Sequence, residues 1–300
     1  MTMVVARSFE DVHLDSPAVL SIGTFDGVHR GHRFLLEQAR DHARDQSLAL
    51  VVVTFDPCPA IVLRPSAGRY QINSPEQKLK LLADLNATLV VLLRFTHELS
   101  LLTANQFMDE LEARLKLKEL WAGEDFRFGH DRGGNPELLA ERSQDSGFTL
   151  HVVSRRMDDR ETISSSRIRH VIADGEVEHA IRLLGYPFRR ECTHMERGKW
   201  VAGGDSSMCS IAPHLLLPAD GVYAIQSSAG TQSVALVSGS APESQLTIKG
   251  AVGETPVEIE FIHRLATTAE YLEDPVRWDA SAQALLSRWQ RPSYTAIGRQ

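Results

Sequence analysis

Residues 23–32 combine three glycines, two histidines and an aspartate within ten positions. The segment reads GTFDGVHRGH and follows the apolar run AVLSI at residues 18–22. This order predicts a buried strand, a glycine-rich turn and then the start of a helix. Glycines let backbone approach a ligand, and the free N–H groups at a helix start favour an anion. Because His29 and His32 would add side-chain donors there, the segment predicts a site for nucleotide phosphates.

Two other interpretations of the histidines stay open at this point. Histidines three residues apart are most often surface residues, or by chance half of a metal site. Zinc would need further ligands at a suitable spacing, and the three cysteines, Cys58, Cys192 and Cys209, form no CxxC pair. We favour the phosphate interpretation because the glycines, the strand and the helix start coincide.

Two later segments have a similar double interpretation. Residues 163–169, ISSSRIR, bring three serines and two arginines to a predicted helix start. Serines there are most often plain N-caps, but hydroxyls hold phosphate oxygens and arginine adds a permanently charged fork. Residues 123–129, GEDFRFG, form either an ordinary turn or a place where Asp125 accepts from a bound base or sugar. We expect most other arginines and lysines to lie on solvated helix faces.

The elements around these segments predict an α/β domain. We expect strands over residues 18–25, 48–55, 89–95, 120–126 and 148–154, alternating with helices over 32–46, from Ser74, from Thr103, from Asn135 to Gly147, over 166–173 and over 176–184. This alternation indicates βαβ units and a mainly parallel sheet. Ligands bind such sheets beyond the carboxyl ends of the strands. The loops after the first, second, fourth and fifth predicted strands should therefore meet at one edge.

After Phe188 the pattern changes to short strand-like runs separated by turn residues. We expect strands near residues 200–201, 221–225, 233–237, 245–249 and 256–262, and a final helix over about 280–289. These runs are typical of a mostly β, barrel-like domain. The predicted organisation is thus a Rossmann-like domain over residues 1–187 and a smaller β domain with a C-terminal helix over 188–300.

Composition restricts the possible partners and the environment. The 300 residues carry a formal net charge of −7, which gives no general attraction to nucleic acid or anionic membranes. No run reaches the roughly 18 apolar residues that span a membrane. Three cysteines without a pattern argue against a disulfide framework and favour a reducing cytoplasm. No Walker-type GxxxxGK[ST] is present, which argues against ordinary P-loop hydrolysis.

Four segments in order resemble the adenylyltransferase module of bacterial bifunctional riboflavin kinase/FAD synthetases, within the HxGH nucleotidyltransferase superfamily. They are residues 23–32, residues 54–59 (TFDPCP), residues 123–129 and residues 163–169. The family has a histidine where this chain has Cys58 and a threonine where it has Ser166. The first departure removes an imidazole near the predicted flavin segment, whereas the second is conservative.

The resemblance implies that ATP and FMN give FAD and pyrophosphate, with Mg²⁺ carried by the triphosphate. It assigns His29 and His32 to the α-phosphate and the leaving group, and Ser164 and Arg167 to the β- and γ-phosphates. The residues that it places around ATP are Gly23, Thr24, Phe25, Gly31, Gly123, Asp125 and Ser165. Those that it places around the flavin are Asp56, Pro57, Cys58 and Arg64.

The second domain resembles the riboflavin kinase module less well. Where the family has GFPTAN, this chain has DSSMCSIAP at residues 205–213. No catalytic glutamate aligns, and we expect Glu258 and Glu260 to lie on a solvated strand face. We infer that kinase activity is lost and that this domain is free to contact a protein partner. Two alternatives remain: a non-catalytic module that binds flavin or nucleotide, and a nucleotidyltransferase with another phosphorylated acceptor.

Overall fold

A computed structural model of the chain describes residues 3–12, 14–64, 68–239, 244–251 and 256–290. These residues divide into two compact units. The first contains the described residues before 65 and Asn73–Ile163, and the second contains Gly68–Ile72 and the described residues from Ser164 onward. The division into domains 1–187 and 188–300 stays a prediction.

A parallel sheet forms the centre of the first unit. Within the described residues it has six strands in the order β1-β4-β3-β2-β5-β6. Their bounds are β1 Val4–Ala6, β2 Ala18–Ile22, β3 Ala49–Asp56, β4 Leu89–Arg94, β5 Leu117–Gly123 and β6 Thr149–Val153. Leu20 of β2 lies opposite Val51 on one side and Leu120 on the other. Such apolar central strands need a cover on both faces, and the predicted parallel α/β fold is confirmed.

Helices connect these strands, and their ends follow local chemistry. They are α1 Arg30–Asp45, α2 Pro59–Leu63, α3 Pro75–Asp84, α4 His97–Ser100, α5 Ala104–Leu115 and α6 Pro136–Ser146. A small hairpin follows, with β7 at Met157–Asp158 and β8 at Glu161–Thr162. Ser74 and Thr103 each form a capping box with the glutamine three residues later. Asn135 caps α6, and Gly147 ends it in the left-handed conformation. These caps were predicted from the sequence and are confirmed.

Two predicted strands extend too far. β2 ends at Ile22 rather than Phe25, because Phe25 adopts a φ of 44° that no strand contains. β5 ends at Gly123 rather than residue 126, because the chain turns there and Phe126 N donates to Gly123 O at 3.0 Å. In both places a turn begins where the sequence still looks strand-like.

The second unit contains an antiparallel sheet. Two helices precede this sheet in the chain, α7 Ser165–Ala173 and α8 Val177–Leu184. Its strands are β9 Phe188–Cys192, β10 His194–Lys199, β11 Asp205–Ser210, β12 Gly221–Ser227, β13 Gln232–Ser238, β14 Gln245–Lys249 and β15 Val257–Ala266. In the described residues these seven strands follow the order β10-β11-β14-β13-β12-β15-β9. Two helices come last, α9 Thr268–Glu273 and α10 Pro275–Leu286.

The mostly β architecture and the C-terminal helix are confirmed, with corrections in detail. The predicted strand at residues 200–201 is wrong, because Trp200 opens a turn in which its N–H donates to Gly204 O at 3.0 Å. The last helix begins at Pro275 and ends at Leu286, earlier than predicted, and residues 291–300 lie outside the described residues. β10 and β11 were not predicted, because their sequences HMERGK and DSSMCS lack apolar alternation.

One expectation about the cysteines is wrong. Cys192 and Cys209 form a disulfide, with their Cα atoms 5.3 Å apart. The pairing of β10 with β11 places Cys209 opposite Met195, three residues after Cys192. Strand pairing thus brings together two cysteines whose positions in the sequence show no pattern.

Among the described residues, no helix has both the length and the apolar character needed to cross a membrane.

Candidate active site

The loop between β2 and α1 holds His29 at the start of the helix. His29 is the N-cap of α1, and its Nδ1 accepts a hydrogen bond from the backbone N–H of His32 at 3.2 Å. Because Nδ1 is an acceptor, the proton of the neutral ring lies on Nε2. The helix predicted over residues 32–46 is thus confirmed but begins two residues earlier, at Arg30. The cap fixes which nitrogen of His29 is a donor.

Three aromatic rings pack together where this loop enters α1. The rings of His29 and His32 lie 3.6 Å apart between centroids and 17° from parallel. Phe25 meets His32 edge to face at 5.2 Å. His29 is 4% exposed and Phe25 is 3% exposed. The loop therefore brings both predicted histidines together and restricts their rotation.

Glycines make this packing possible. A Cβ on Gly31 would lie 3.1 Å from the ring of His29 and 3.2 Å from Ile163 O. A Cβ on Gly23 would lie 3.0 Å from the ring of Phe25. Gly27 has a φ of 87°, which a residue with a Cβ adopts only with strain. These glycines were expected to let the backbone approach a ligand, and in the structure Gly31 and Gly23 also let neighbouring rings and backbone approach.

A buried lysine anchors the same loop, and the sequence analysis missed it. Lys78 on α3 is fully buried, contrary to the expectation of solvated lysines. Its Nζ donates to Thr24 O at 3.0 Å, to Phe55 O at 2.9 Å and to Thr54 Oγ1 at 3.3 Å. Burial lowers the pKa of Lys78, and Asp26, Cys58 and Asp56 oppose that shift. Lys78 therefore ties the loop after β2 to the end of β3.

The serine-rich segment begins α7 in the second unit. Ser164 is the N-cap, and its Oγ accepts from Arg167 N at 3.2 Å. The guanidinium of Arg167 lies 3.3 Å from His179 Nε2, and Ser165 is the first residue of the helix. The N-cap interpretation is thus confirmed for Ser164, whereas Ser165 and Ser166 lie within the helix. His29 and His32 belong to the first unit. That these histidines and the start of α7 bind one nucleotide together stays a prediction.

Arg169, in the same motif, has a structural role. Its Nε donates to Tyr70 O at 3.0 Å, and its guanidinium lies 3.9 Å from the centroid of the Tyr70 ring. Both residues belong to the second unit. A hydrogen bond and a cation–π contact with one tyrosine hold the chain from residue 68 to 72 against α7.

The remaining predicted residues follow the ends of β3 and β5. Asp125 lies in the exposed turn after Gly123, with its carboxylate 3.5 Å from Arg155 Nε. Asp56 is the last residue of β3, and Cys58 is buried at the N-cap position of α2. Pro57 follows Asp56, and the exposed Arg64 ends α2. Their roles in binding ATP or flavin stay predictions.

Aromatic rings gather at the carboxyl ends of three strands, which the sequence analysis did not notice. Phe55 is the penultimate residue of β3, Phe95 follows β4, and Phe126 and Phe128 follow β5. The ring centroids of Phe55 and Phe95 lie 5.7 Å apart, and those of Phe126 and Phe128 lie 5.2 Å apart. Phe107 of α5 connects the two pairs, because its ring centroid lies 6.2 Å from that of Phe55 and 6.1 Å from that of Phe128. The signal was available, because a phenylalanine lies within five residues of the carboxyl end of each of these strands. Flat apolar rings at this edge suit a planar heterocycle.

Two expectations about buried charge in the second unit are wrong. Glu260 is buried rather than solvated, and on β15 it lies between Gln226 of β12 and Arg189 of β9. Glu258 pairs with Arg189 at 3.3 Å and is only 20% exposed. Arg190 is fully buried and donates to Ile72 O at 2.9 Å and to Leu216 O.

The parallel sheet, with its capped histidine loop and its aromatic edge, defines a nucleotide-binding α/β domain of the nucleotidyltransferase class. Residues 11–167 match the model of the family described as FAD synthetase. The chain belongs to the FAD synthetase family and is a nucleotidyltransferase enzyme. The matched range contains the first three motifs and most of the fourth, and it ends in the first turn of α7.

Two relatives agree with this assignment by name, and one solved structure has a similar fold. A bifunctional riboflavin kinase/FMN adenylyltransferase of Listeria monocytogenes is 32% identical over 219 residues, which cover 72% of this chain and 69% of that protein. One of Escherichia coli K12 is 35% identical over 171 residues, which cover 57% of this chain and 55% of that protein. A crystal structure described as a macrolide-efflux protein from Streptococcus pneumoniae has a TM-score of 0.77 at 25% identity and covers 97% of this chain.

Proposed function

We propose that the chain transfers AMP from ATP to FMN and thereby forms FAD and pyrophosphate. The observation that carries this proposal is the N-cap of α1. His29 accepts through Nδ1 and so presents Nε2–H as a donor beside the N–H groups of the first helical turn. Donors and a helix dipole directed at one place stabilise negative charge. A phosphate undergoing transfer is such a charge.

The proposed reaction needs no protein nucleophile. A phosphate oxygen of FMN attacks the α-phosphorus of ATP, and the bond from that phosphorus to the bridging oxygen breaks. Pyrophosphate leaves with the electron pair of that bond, and Mg²⁺ arrives as part of the MgATP substrate. His29 and His32 donate to the α-phosphate and to the leaving oxygen. In-line placement and charge stabilisation supply most of the rate in such transfers.

We assign the start of α7 to the other end of the triphosphate. Arg167 supplies a permanently charged fork for the β- and γ-phosphates. The Oγ of Ser164 already accepts from Arg167 N, so its hydroxyl proton remains for a phosphate oxygen. Ser165 adds a second hydroxyl and the first backbone N–H of the helix.

The other predicted residues bind the two planar groups in this proposal. For the adenosine side of ATP they are Gly23, Thr24, Phe25, Gly31, Gly123 and Asp125. For the flavin they are Asp56, Pro57, Cys58 and Arg64, together with the phenylalanines at the ends of β3, β4 and β5. The short distances among those rings support a surface on which an isoalloxazine stacks.

We further propose that residues 188–300 no longer phosphorylate riboflavin and instead contact a protein partner. The residues at the place of the family's GFPTAN segment form β11, which pairs with β10 and β14 along its length. A regular central strand uses its backbone groups for pairing, so fewer of them are available to a nucleotide. We also propose that the protein acts in the cytoplasm, where ATP and FMN are available.

The test is an assay of the purified chain with ATP, Mg²⁺ and FMN, in which FAD and pyrophosphate are measured. His29→Ala and Arg167→Ala should each lower kcat by at least about 10²-fold, as expected when one charge-stabilising donor is lost. His170→Ala, which replaces an exposed histidine of α7, is the control and should leave kcat unchanged. Unchanged rates in both site variants would refute the placement of the chemistry. Riboflavin in place of FMN should give no product, and formation of FMN would overturn the proposed loss of kinase activity.

Cys58 supports a second candidate function. This residue stands where the family has a histidine, and it is buried beside the predicted flavin segment. A changed pocket would suit a different phosphorylated acceptor that receives AMP from ATP, with pyrophosphate leaving as before. A panel of phosphorylated acceptors separates the two functions, and tight binding without turnover would instead identify a non-catalytic binding module.

A further inference from the structure

A carboxylate flanked by two histidines lies on the α1 side of the first unit. Glu119 Oε2 of β5 is 2.8 Å from His42 Nε2 in the last turn of α1 and 2.9 Å from His151 Nε2 of β6. Glu119 is buried, and the two histidine side chains are 33% and 30% exposed. One ligand atom from each residue lies within 4.8 Å of the others.

This cluster is separate from the motif loops. His42 follows His29 by thirteen residues along α1, a rise of about 20 Å at 1.5 Å per residue. α1 starts at the carboxyl edge of the sheet and therefore ends near the opposite edge. None of the proposed ATP or flavin residues belongs to the cluster, so its role is independent of the proposed function.

We propose that His42, Glu119 and His151 bind one divalent first-row transition metal ion, with Zn²⁺ as the best match. Two imidazole nitrogens and one carboxylate oxygen form a known three-ligand set for Zn²⁺, with a fourth position for water. Mg²⁺ and Ca²⁺ prefer oxygen ligands only, which excludes the cation that accompanies ATP.

The geometry needs little adjustment to accept the ion. Ligand atoms at about 2.1 Å from a common metal are separated by at most about 4.2 Å, and the three atoms are already within 4.8 Å. Both Nε2 atoms are directed at the same carboxylate oxygen, so a small rotation of each ring closes the site. The proton of each neutral ring then moves to Nδ1. The partial exposure of both histidines provides the entry path that a site needs.

Trp121 holds one ligand in place and provides a probe. Its indole stacks on His151, with centroids 4.3 Å apart and planes 16° from parallel, and it lies 5.6 Å from His42. This packing limits the rotation of both imidazoles, as expected for a site that is largely preformed. A paramagnetic ion such as Co²⁺ bound here should quench the fluorescence of Trp121.

The first experiment measures Zn²⁺ binding to the full chain by competition with a chromophoric chelator in the presence of excess Mg²⁺. Wild type should take up one Zn²⁺ ion. The affinity for this ion should fall at least about 100-fold in each of three variants, Glu119→Gln, His42→Ala and His151→Ala. Loss of a metal ligand should lower the affinity at least as much as loss of an outer-shell group does. His97→Ala, which changes an exposed histidine of α4, should bind like wild type. The three cysteines are present in every variant and cancel in the comparison.

Two further measurements keep the result clear if a variant folds poorly. His42→Gln changes a half-exposed side chain at the end of α1 and should keep the fold but lose the ion. Zn²⁺ should raise the Tm of wild type but not that of this variant, and Co²⁺ quenching should disappear in Trp121→Phe. Binding by His42→Gln equal to wild type, or no uptake by wild type beyond the amount that all variants share, would overturn the proposal.

Discussion

Replacement of Lys78 by methionine tests how the motif loop is held. The side chain is fully buried, and its ammonium donates to Thr24 O, Phe55 O and Thr54 Oγ1. Methionine has nearly the same length and shape but cannot donate. The variant therefore removes three hydrogen bonds without leaving a large cavity.

The expected loss is smaller than the sum of the three hydrogen bonds. Each bond to a charged group contributes about 1.5–3 kcal/mol net, but the variant also removes the cost of burying the ammonium, which amounts to several kcal/mol. Thr24 O keeps a second donor, because Thr54 Oγ1 lies 3.0 Å from it. We therefore expect Lys78→Met to lower the free energy of unfolding by about 2–4 kcal/mol.

Urea unfolding followed by circular dichroism measures this change. At a typical slope of about 2 kcal/mol per molar urea, a loss of 3 kcal/mol lowers the midpoint by about 1.5 M. Hydrogen exchange of peptides that cover residues 18–32 should accelerate, because the loop after β2 loses its anchor. Lys118→Met changes an exposed lysine of β5 and should stay within about 0.5 kcal/mol of wild type. A loss below about 1 kcal/mol with unchanged exchange would refute the anchoring role of Lys78.

Two other substitutions test the loop and the second unit. Gly31→Ala should lower kcat for FAD formation at least about 10-fold, because the new Cβ would lie 3.1 Å from the His29 ring. The Tm should change little, since alanine favours the helix by up to about 1 kcal/mol relative to glycine. An unchanged kcat would contradict this packing argument. His263→Gln tests a pH-dependent ion pair, because the hydrogen bond with Glu178 raises the pKa of His263 above 6.5 although burial opposes it. The stabilisation by this ion pair is complete below pH 6.5 and is lost as pH rises through the pKa of His263 in the folded protein. The difference in Tm between wild type and His263→Gln should therefore be larger at pH 6 than at pH 9. A difference that does not fall with rising pH would refute the ion pair.

Local chemistry made much of the first unit predictable. The capping boxes at Ser74 and Thr103 and the helix end at Gly147 depend on residues within one helical turn. They could therefore be predicted from the sequence. The apolar run that became β3 predicted a sheet covered on both faces. The segments around His29 and Ser164 were recognisable because their residue types match a known family over four ordered motifs.

The site's internal geometry was not predictable in the same way. The sequence showed two histidines near a helix start, but not that Nδ1 of His29 caps the helix or that the two rings stack. The phenylalanines at the carboxyl ends of β3, β4 and β5 are far apart in the chain, and only the order of the strands brings Phe55 and Phe95 into contact.

The sequence by itself determined the alternation of strands and helices, the helix caps and the identity of the motif residues, because each depends on neighbours a few positions away. Only the tertiary structure decided that Lys78 and Glu260 are buried, that Cys192 meets Cys209, and that His42 and His151 share one carboxylate. Burial and pairing depend on which distant segments pack together, and the same lysine or glutamate is solvated or enclosed according to that packing.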